Sequence, residues 1–346
     1  MDKKLNIAII AGGFSNEREI SLMTATQIAK FLPADKYQIK IIEITPEKTW
    51  LVRHDMQEIN DGSEVNDLAI INNNIDRLNI GDGIDVAFLA LHGKFGEDGR
   101  IQAMLDYWQI PYTGSGVLAS AIGMNKLKCI EVLNSYGIKV APHFVVTKCD
   151  ADLLELNRQI KESMDYPVVV KPNESGSSVG VSVVKDFDQL KAALEAAFKE
   201  DNLILVEKFI SGRELTCAVM GNAGDKELLS LPPVEIITEV GEFFDYQNKY
   251  FSGKTQDICP ADISLELTEE IKQISTRIHA ILGCDGLTRS DFILHDGELY
   301  FLEINTIPGL TEVSLAPRAA KAIGWSFADF LEKQIELARQ KFFLPK

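Results

Sequence analysis

The stretch LTRSDFILHDGELYFLEINTIPGLTEVSL, residues 287–315, decides how the rest of the chain is read. Runs rich in Ile, Leu and Phe flank His295-Asp296-Gly297, the pattern of two strands joined by a tight turn. Three polar residues break into those runs: Asp291 on the first strand, Glu303 and Asn305 on the second. Side chains alternate along a strand, so Glu303 and Asn305 share a face. Asp291 joins them if the turn holds an odd number of residues, such as a three-residue loop with Gly297 left-handed. Arg289 then lies on the same side. Carboxylates set among Phe301, Leu302 and Ile304 are costly without a cation. Asp, Glu and Asn offer only hard oxygen donors, which selects Mg²⁺ or Mn²⁺ over zinc. Mg²⁺ held by a few carboxylates keeps positions for waters and substrate phosphates, as in ATP-using enzymes. The competing reading, a solvated strand face with ordinary charges, is opposed by the apolar neighbours and by the Pro308-Gly309 break that follows at once.

Composition bounds the alternatives. A chain of 346 residues, 46% of them hydrophobic, divides into two or three domains. The net charge of −16 argues against nucleic acid or an anionic membrane as partner. An anionic substrate has to be met by local cations and metal, not by the overall field. Cys129, Cys149, Cys217, Cys259 and Cys284 are odd in number, scattered and without CxxC spacing, as expected of reduced thiols in a cytosolic protein. The five histidines lack metal spacing as well. MDKKLNIAIIAGG opens as a strand running into a turn and not as a signal peptide, and no apolar run approaches a membrane span.

In chain order, Leu5–Ile10 is a buried strand closed by Ala11-Gly12-Gly13, followed by a helix from about Glu17 to Phe31 and a strand over Tyr37–Ile44. This begins a parallel α/β domain, and the glycine turn lacks the GxGxxG spacing of a dinucleotide site. Glu19 fits two roles equally. It completes a capping box with Asn16, or it holds a substrate ammonium at the carboxyl end of the sheet. Residues 53–83 are polar and read as surface loop and short helix. His92 stands at the end of strand Asp85–Leu91 in a glycine-rich turn, a placement that favours function. Thr113–Gly116 reads as a hinge. Asn125 caps a helix whose first turn carries Lys126, the wrong end for a lysine unless a phosphate shares the site. Pro167–Lys171 is a strand ending in a lysine beside Gly176-Ser177-Ser178-Val179-Gly180, whose amides suit phosphate oxygens although the pattern is no Walker A loop. Leu203–Phe209 is a strand whose end, from Glu207, could offer backbone groups to an adenine ring. Residues 245–260 form a long polar and aromatic loop of the kind that serves as a lid.

The ordered series Glu17-Arg18-Glu19-Ile20-Ser21, Leu91-His92-Gly93, Gly96-Glu97-Asp98-Gly99, Gly114-Ser115-Gly116, Val170-Lys171-Pro172 and Gly176–Gly180 continues through Gly212–Thr216, Lys249-Tyr250, Arg289-Ser290-Asp291 and Glu303–Thr306 with Pro308-Gly309. It resembles the D-alanine–D-alanine ligase family of the ATP-grasp superfamily over nearly the whole chain. The resemblance implies an α/β fold: a Rossmann-like N-terminal domain (1–115), a central ATP-grasp lobe (116–208), and a C-terminal lobe (209–346) with the catalytic hairpin and lid. It implies ATP-dependent formation of D-alanyl-D-alanine through a D-alanyl phosphate, for peptidoglycan, by a cytoplasmic homodimer.

Carried onto this chain, the resemblance has Asp291, Glu303 and Asn305 holding two Mg²⁺ or Mn²⁺ ions. Lys126 and Lys171 meet ATP phosphates, and Lys249 the γ-phosphate. Glu207, Lys208 and Phe209 border adenine, and Glu214 the ribose. Glu19 takes the ammonium of the first D-alanine, with Ser177 and lid residue Tyr250 joined to it and His92 nearby. Arg289 and the Gly309 amide form the oxyanion site, and Ser314 and Leu315 hold the carboxylate of the second D-alanine. Lys249-Tyr250 resembles the D-alanine-specific members, which disfavours a D-lactate acceptor. A D-lactate or D-serine acceptor, or an ATP-binding sensor without turnover, are the alternatives.

Overall fold

The computed structural model describes residues 3–53, 70–71, 83–149, 151–237 and 256–343. The chain opens with β1 (Leu5–Gly12), α1 (Arg18–Phe31), β2 (Tyr37–Ile44), β3 (Trp50–Arg53), β4 (Ile70–Ile71), β5 (Val86–Leu89) and α2 (Arg100–Trp108). β1 pairs in parallel with β2 and with β5, while β3 and β4 extend the sheet antiparallel in the order β4-β3-β2-β1-β5. The strand order reverses at β1, with β2 on one side and β5 on the other. The loops after β1 and β5 therefore leave the carboxyl edge together, the place where open α/β sheets bind ligands. Within 53–83 the structure describes only the ends and β4, which pairs with β3 where a loop was expected.

The middle of the chain runs α3 (Val117–Met124), α4 (Lys126–Ser135), β6 (His143–Thr147), α5 (Leu153–Ser163), β7 (Val168–Pro172), β8 (Ser182–Val184), α6 (Phe187–Ala197) and β9 (Leu203–Lys208). Its antiparallel sheet, β6-β9-β7-β8, buries Val168, Val170 and Val206 against Ile160 of α5 and Leu194 of α6. Asn125 caps α4 as expected, accepting from the Lys128 amide, and Gly137 after the helix is left-handed at φ +77°.

The last part comprises β10 (Arg213–Gly221), β11 (Leu229–Ser230), β12 (Val234–Ile237), β13 (Gln256–Ile258), α7 (Leu265–Ile281), β14 (Gly286–His295), β15 (Glu298–Asn305), α8 (Leu315–Ala322) and α9 (Phe327–Phe343). These strands form a second antiparallel sheet, β13-β12-β10-β14-β15, with β11 on β10. One face packs Phe292, Phe301 and Ile304 against Ile271 and Ile278 of α7 and Ile130 and Leu133 of α4. The other face looks across a cleft toward the middle sheet.

The N-terminal core is completed from the far end of the chain. Ile7, Ile9 and Phe88 share one cluster with Phe330, Leu331 and Ile335 of α9. The Thr113–Gly116 segment, expected to be a hinge, is wedged: Ser115 is buried, Lys341 of α9 donates to the Gly114 carbonyl at 3.2 Å, and a Cβ on Gly286 would meet the Gly114 backbone at 2.9 Å.

Candidate active site

The β14–β15 hairpin closes with two residues, Asp296 (φ +49°) and Gly297 (φ +80°), both left-handed as a type I′ turn requires. The turn is therefore even, not odd. Uninterrupted pairing from His295↔Glu298 would set Asp291 opposite Leu302 and turn Glu303 into the core. A bulge between Asp291 and Phe292 corrects this: Phe292 pairs with Phe301, whereas Asp291 pairs with Glu303 and Arg289 with Asn305, leaving Leu302 as the extra residue. Leu299 and Phe301 face the core on the turn side of the bulge, and Ile304 faces it beyond. The expected polar face thus forms, by a different device.

On that face Asp291 is buried and fully engaged. Arg289 grips it with Nε and Nη2, each at 2.8 Å, Thr216 Oγ1 donates at 2.5 Å, and Asn305 Nδ2 at 3.0 Å. Arg289 thus serves first as the carboxylate's neutralising partner. Glu303 is more open, 32% exposed, with Lys126 Nζ 3.5 Å from Oε2. Among the described residues no three His, Cys, Asp or Glu side chains form a metal-holding group. Two opposed carboxylates and an amide oxygen nevertheless match what Mg²⁺ or Mn²⁺ takes when substrate oxygens supply the remaining ligands.

A cleft of about 400 Å³ lies between the two antiparallel sheets, and Lys126, Lys171, Glu207, Phe209, Glu214 and Glu303 are on its walls. Lys171 is buried and paired with Glu207 at 2.6 Å, so one cation stands ready without a free charge in the interior. Lys126 reaches out of the first turn of α4 to the Ser175 carbonyl at 2.8 Å. Lys208 also borders the cleft, but its Nζ bonds the Asp165 carbonyl at 3.2 Å. Lys249 and Tyr250 lie outside the described residues.

At Lys126, Ser175 and Glu303 the cleft meets a chamber of about 50 Å³, small enough for an amino acid with a short side chain. Here one expectation fails. Glu19 is exposed, sharing the solvent face of α1 with exposed Met23 four residues on, while Ile20, Ser21, Thr24 and Ala25 turn inward. Glu17 occupies the chamber instead and accepts a hydrogen bond from Ser177 Oγ. Glycines make room for it: a Cβ on Gly93 or on Gly176 would collide with the Glu17 carboxylate. Ser177 and Ser178 are held left-handed (φ +49° and +58°), a strained setting for residues with a Cβ that suits a loop shaped by its ligand. The capping box is not formed either; Glu17 is the residue before the helix and makes no side-chain cap bond.

Glu97, passed over as part of a motif, also lines the chamber. Its carboxylate accepts from the Gly93 amide at 2.8 Å and the Ile307 amide at 3.0 Å. His92 is buried, with both ring nitrogens on protein partners: Thr24 Oγ1 at 3.2 Å and the Ile307 carbonyl at 3.3 Å. It borders the chamber without a nitrogen to spare for a substrate. Gly309 lines the chamber too, and a Cβ there would lie 3.0 Å from Ser314 Oγ. Ser314 stands just behind it at the start of α8, bonded to Thr311 Oγ1 at 2.8 Å, and the Leu315 side chain packs on the core, leaving only its backbone for recognition.

Burial, reinforced by the charge of Glu17, pushes the Glu97 carboxyl from 4.5 up to about 8. A carboxyl raised on folding keeps a proton that the unfolded chain releases, so its contribution to stability is full below pH 4.5 and lost as pH rises through about 8. Burial lowers His92 and His279, whose contributions are instead lost as pH falls below their usual 6.5. Above pH 6.5 Glu97 therefore acts without their opposition. The thermal midpoint of the ligand-free protein is expected to fall from there toward pH 8, and Glu97→Gln to flatten that slope. Thermal denaturation at constant ionic strength measures both, and equal slopes would show that Glu97 ionises alike in the folded and unfolded chain.

The family model described as D-ala D-ala ligase N-terminus matches residues 6–115, and that described as D-ala D-ala ligase C-terminus matches 132–336. A protein of Syntrophobacter fumaroxidans named D-alanine--D-alanine ligase is 39% identical over 337 residues, 97% of this chain and 98% of its own length. Among solved structures, the VanG D-Ala:D-Ser ligase of Enterococcus faecalis superposes with a TM-score of 0.86 at 32% identity, covering 97% of this chain and all of its own. The D-alanine--D-alanine ligase of Bacillus anthracis complexed with ATP gives 0.76 at 32% identity, with 98% of each chain covered.

Proposed function

The chain belongs to the D-alanine–D-alanine ligase family, and from that premise we propose that it joins two D-alanines into D-alanyl-D-alanine for peptidoglycan, converting ATP to ADP and phosphate. The observation that carries the proposal is the junction of a nucleotide-sized cleft with a chamber fit for a small amino acid, at Lys126 and Glu303.

A carboxylate is a poor electrophile, so the first D-alanine must be activated. Its ammonium lies against Glu17 and Ser177, which turns the carboxylate toward the mouth of the cleft. Lys126 and Lys171 hold the ATP phosphates in line, Glu207–Phe209 border the adenine and Glu214 the ribose. Asp291, Glu303 and Asn305 would hold the Mg²⁺ or Mn²⁺ ions, which when bound would supply neutralisation of the charge on the transferred phosphoryl group. The substrate carboxylate oxygen bonds to the γ-phosphorus as the bond to ADP breaks, giving D-alanyl phosphate. The second D-alanine, its carboxylate on Ser314 and the first amides of α8, attacks with its amine. The tetrahedral oxyanion meets Arg289 and the Gly309 amide, the amine passes its proton to the departing phosphate, and the C–O bond to that phosphate breaks. Acyl phosphates hydrolyse readily, so the site must exclude water, a task the resemblance gives to the segment carrying Lys249 and Tyr250.

The homodimer, the cytoplasmic setting and the three-part domain division follow the family expectation; no helix among the described residues is long and apolar enough to cross a membrane. The TM-score of 0.86 to a D-Ala:D-Ser ligase favours one second reading, D-serine as acceptor. A coupled ADP-release assay with D-alanine as sole amino acid, then with D-serine or D-lactate added at limiting D-alanine, decides among them. Vigorous release with D-alanine alone is expected. Binding of ATP without release would make the protein a sensor, and preference for D-serine would change the acceptor.

A further inference from the structure

We propose that Glu97 and His92 act as a positioning clamp on the backbone of Ile307 and thereby aim the Gly309 amide at the reacting carbonyl, an inference that rests on the function proposed above. The two residues hold Ile307 from opposite sides. Glu97 accepts from its N–H at 3.0 Å, and His92 Nδ1 donates to its carbonyl at 3.3 Å. The next residue is Pro308, whose ring locks φ. Between the clamped carbonyl of Ile307 and the N–H of Gly309 only the ψ torsion of Pro308 is left to vary. Fixing Ile307 therefore fixes the amide two residues on to within a single rotation.

The clamp is built from the loop after β5, and it holds the segment that follows β15, a strand of a different sheet. Glu97 also accepts from the Gly93 amide at 2.8 Å, which ties its carboxyl to its own loop. Thr24, fully buried on α1, lies 3.2 Å from His92 Nε2. With its hydroxyl donating there, the imidazole is neutral and carries its proton on Nδ1, the tautomer that can donate to Ile307. Ser15 Oγ donates to the His92 carbonyl at 2.9 Å and accepts from the Glu17 amide at 3.3 Å, so the residue facing the substrate ammonium and the clamp share one support. Burial favours the neutral form of both clamp residues, which spares the chamber two further charges.

Two measurements test this. In ¹⁵N-histidine-labelled protein, His92 is expected as the neutral Nδ1–H tautomer; an Nε2–H tautomer or an imidazolium at neutral pH would overturn the clamp whether or not the enzyme turns over D-alanine. In kinetics, Glu97→Gln keeps one acceptor oxygen and sets an NH₂ against one of the two amides. It is expected to lower kcat on the order of 10²-fold, the scale of a displaced oxyanion donor, with KM for D-alanine and for ATP within about threefold. A raised KM at unchanged kcat would make Glu97 a substrate-binding residue and sink the proposal, as would unchanged kinetics. If Glu97→Gln fails to fold, Thr24→Val decides: loss of the tautomer together with a kcat lower by roughly tenfold supports the clamp, since one neutral hydrogen bond is removed; parental tautomer and kcat overturn it. Wild-type ADP release from D-alanine is the control, and its absence would fail the proposed function while leaving the tautomer result standing.

Discussion

Glu303→Gln is expected to abolish ADP release while leaving the fold intact. The substitution keeps the shape of a side chain that is one-third exposed and whose Lys126 contact, at 3.5 Å, adds little to stability. The thermal midpoint should therefore stay close to that of the parent. Activity should not. Glu303 faces Asp291 across the hairpin at the border of cleft and chamber, and it is more exposed than the buried Asp291. Removing its charge forfeits charge stabilisation worth several kcal/mol in phosphoryl transfer, or about 10³-fold in rate. Steady-state ADP release, with Mg²⁺- and Mn²⁺-dependent ATP binding measured alongside, reads the effect. A rate within tenfold of the parent would remove Glu303 from the metal site.

Glu17→Gln should raise the KM for the first D-alanine on the order of 10²-fold, whereas Glu19→Gln should leave it nearly unchanged. The asymmetry follows from placement. The Glu17 carboxylate sits in a chamber walled by Gly93 and Gly176 and bonded to Ser177, where a lost charge pair with an ammonium costs about 2–5 kcal/mol. Glu19 lies in solvent on the opposite side of the helix entry. Initial rates across D-alanine concentrations for both variants provide the comparison, and the reverse ranking would return the ammonium site to Glu19.

The pair shows where reading a sequence stops. Either glutamate of Glu17-Arg18-Glu19 satisfies the motif, and only the rotation of α1 separates them. The structure sets that rotation: Glu19 and Met23 are four apart on the exposed side, while Ile20, Thr24 and Ile28 form the buried stripe. The hairpin was legible in its composition but not in its register. A bulge changes no residue type, so the parity that puts Asp291 across from Glu303 could not be read from the alternation of the strands. Glu97 carried no signal of its own, because its role depends on Ile307, 210 residues away in sequence. The oxygen-donor set itself was readable, since Asp291, Glu303 and Asn305 interrupt otherwise apolar strands. Lys249 and Tyr250 remain assignments from the resemblance.

The sharing of one core by β1, β5 and α9 has a consequence for how the molecule comes into being. During synthesis the N-terminal strands emerge first, and Ile7, Ile9 and Phe88 then have the C-terminal members of their cluster still unmade. Phe330, Leu331 and Ile335 leave the ribosome only after both antiparallel sheets have been translated. The apolar faces of β1 and β5 thus stay uncovered by α9 for most of elongation, a condition that exposes a nascent chain to misassembly. The helix that seals the first sheet is made after both of the other sheets.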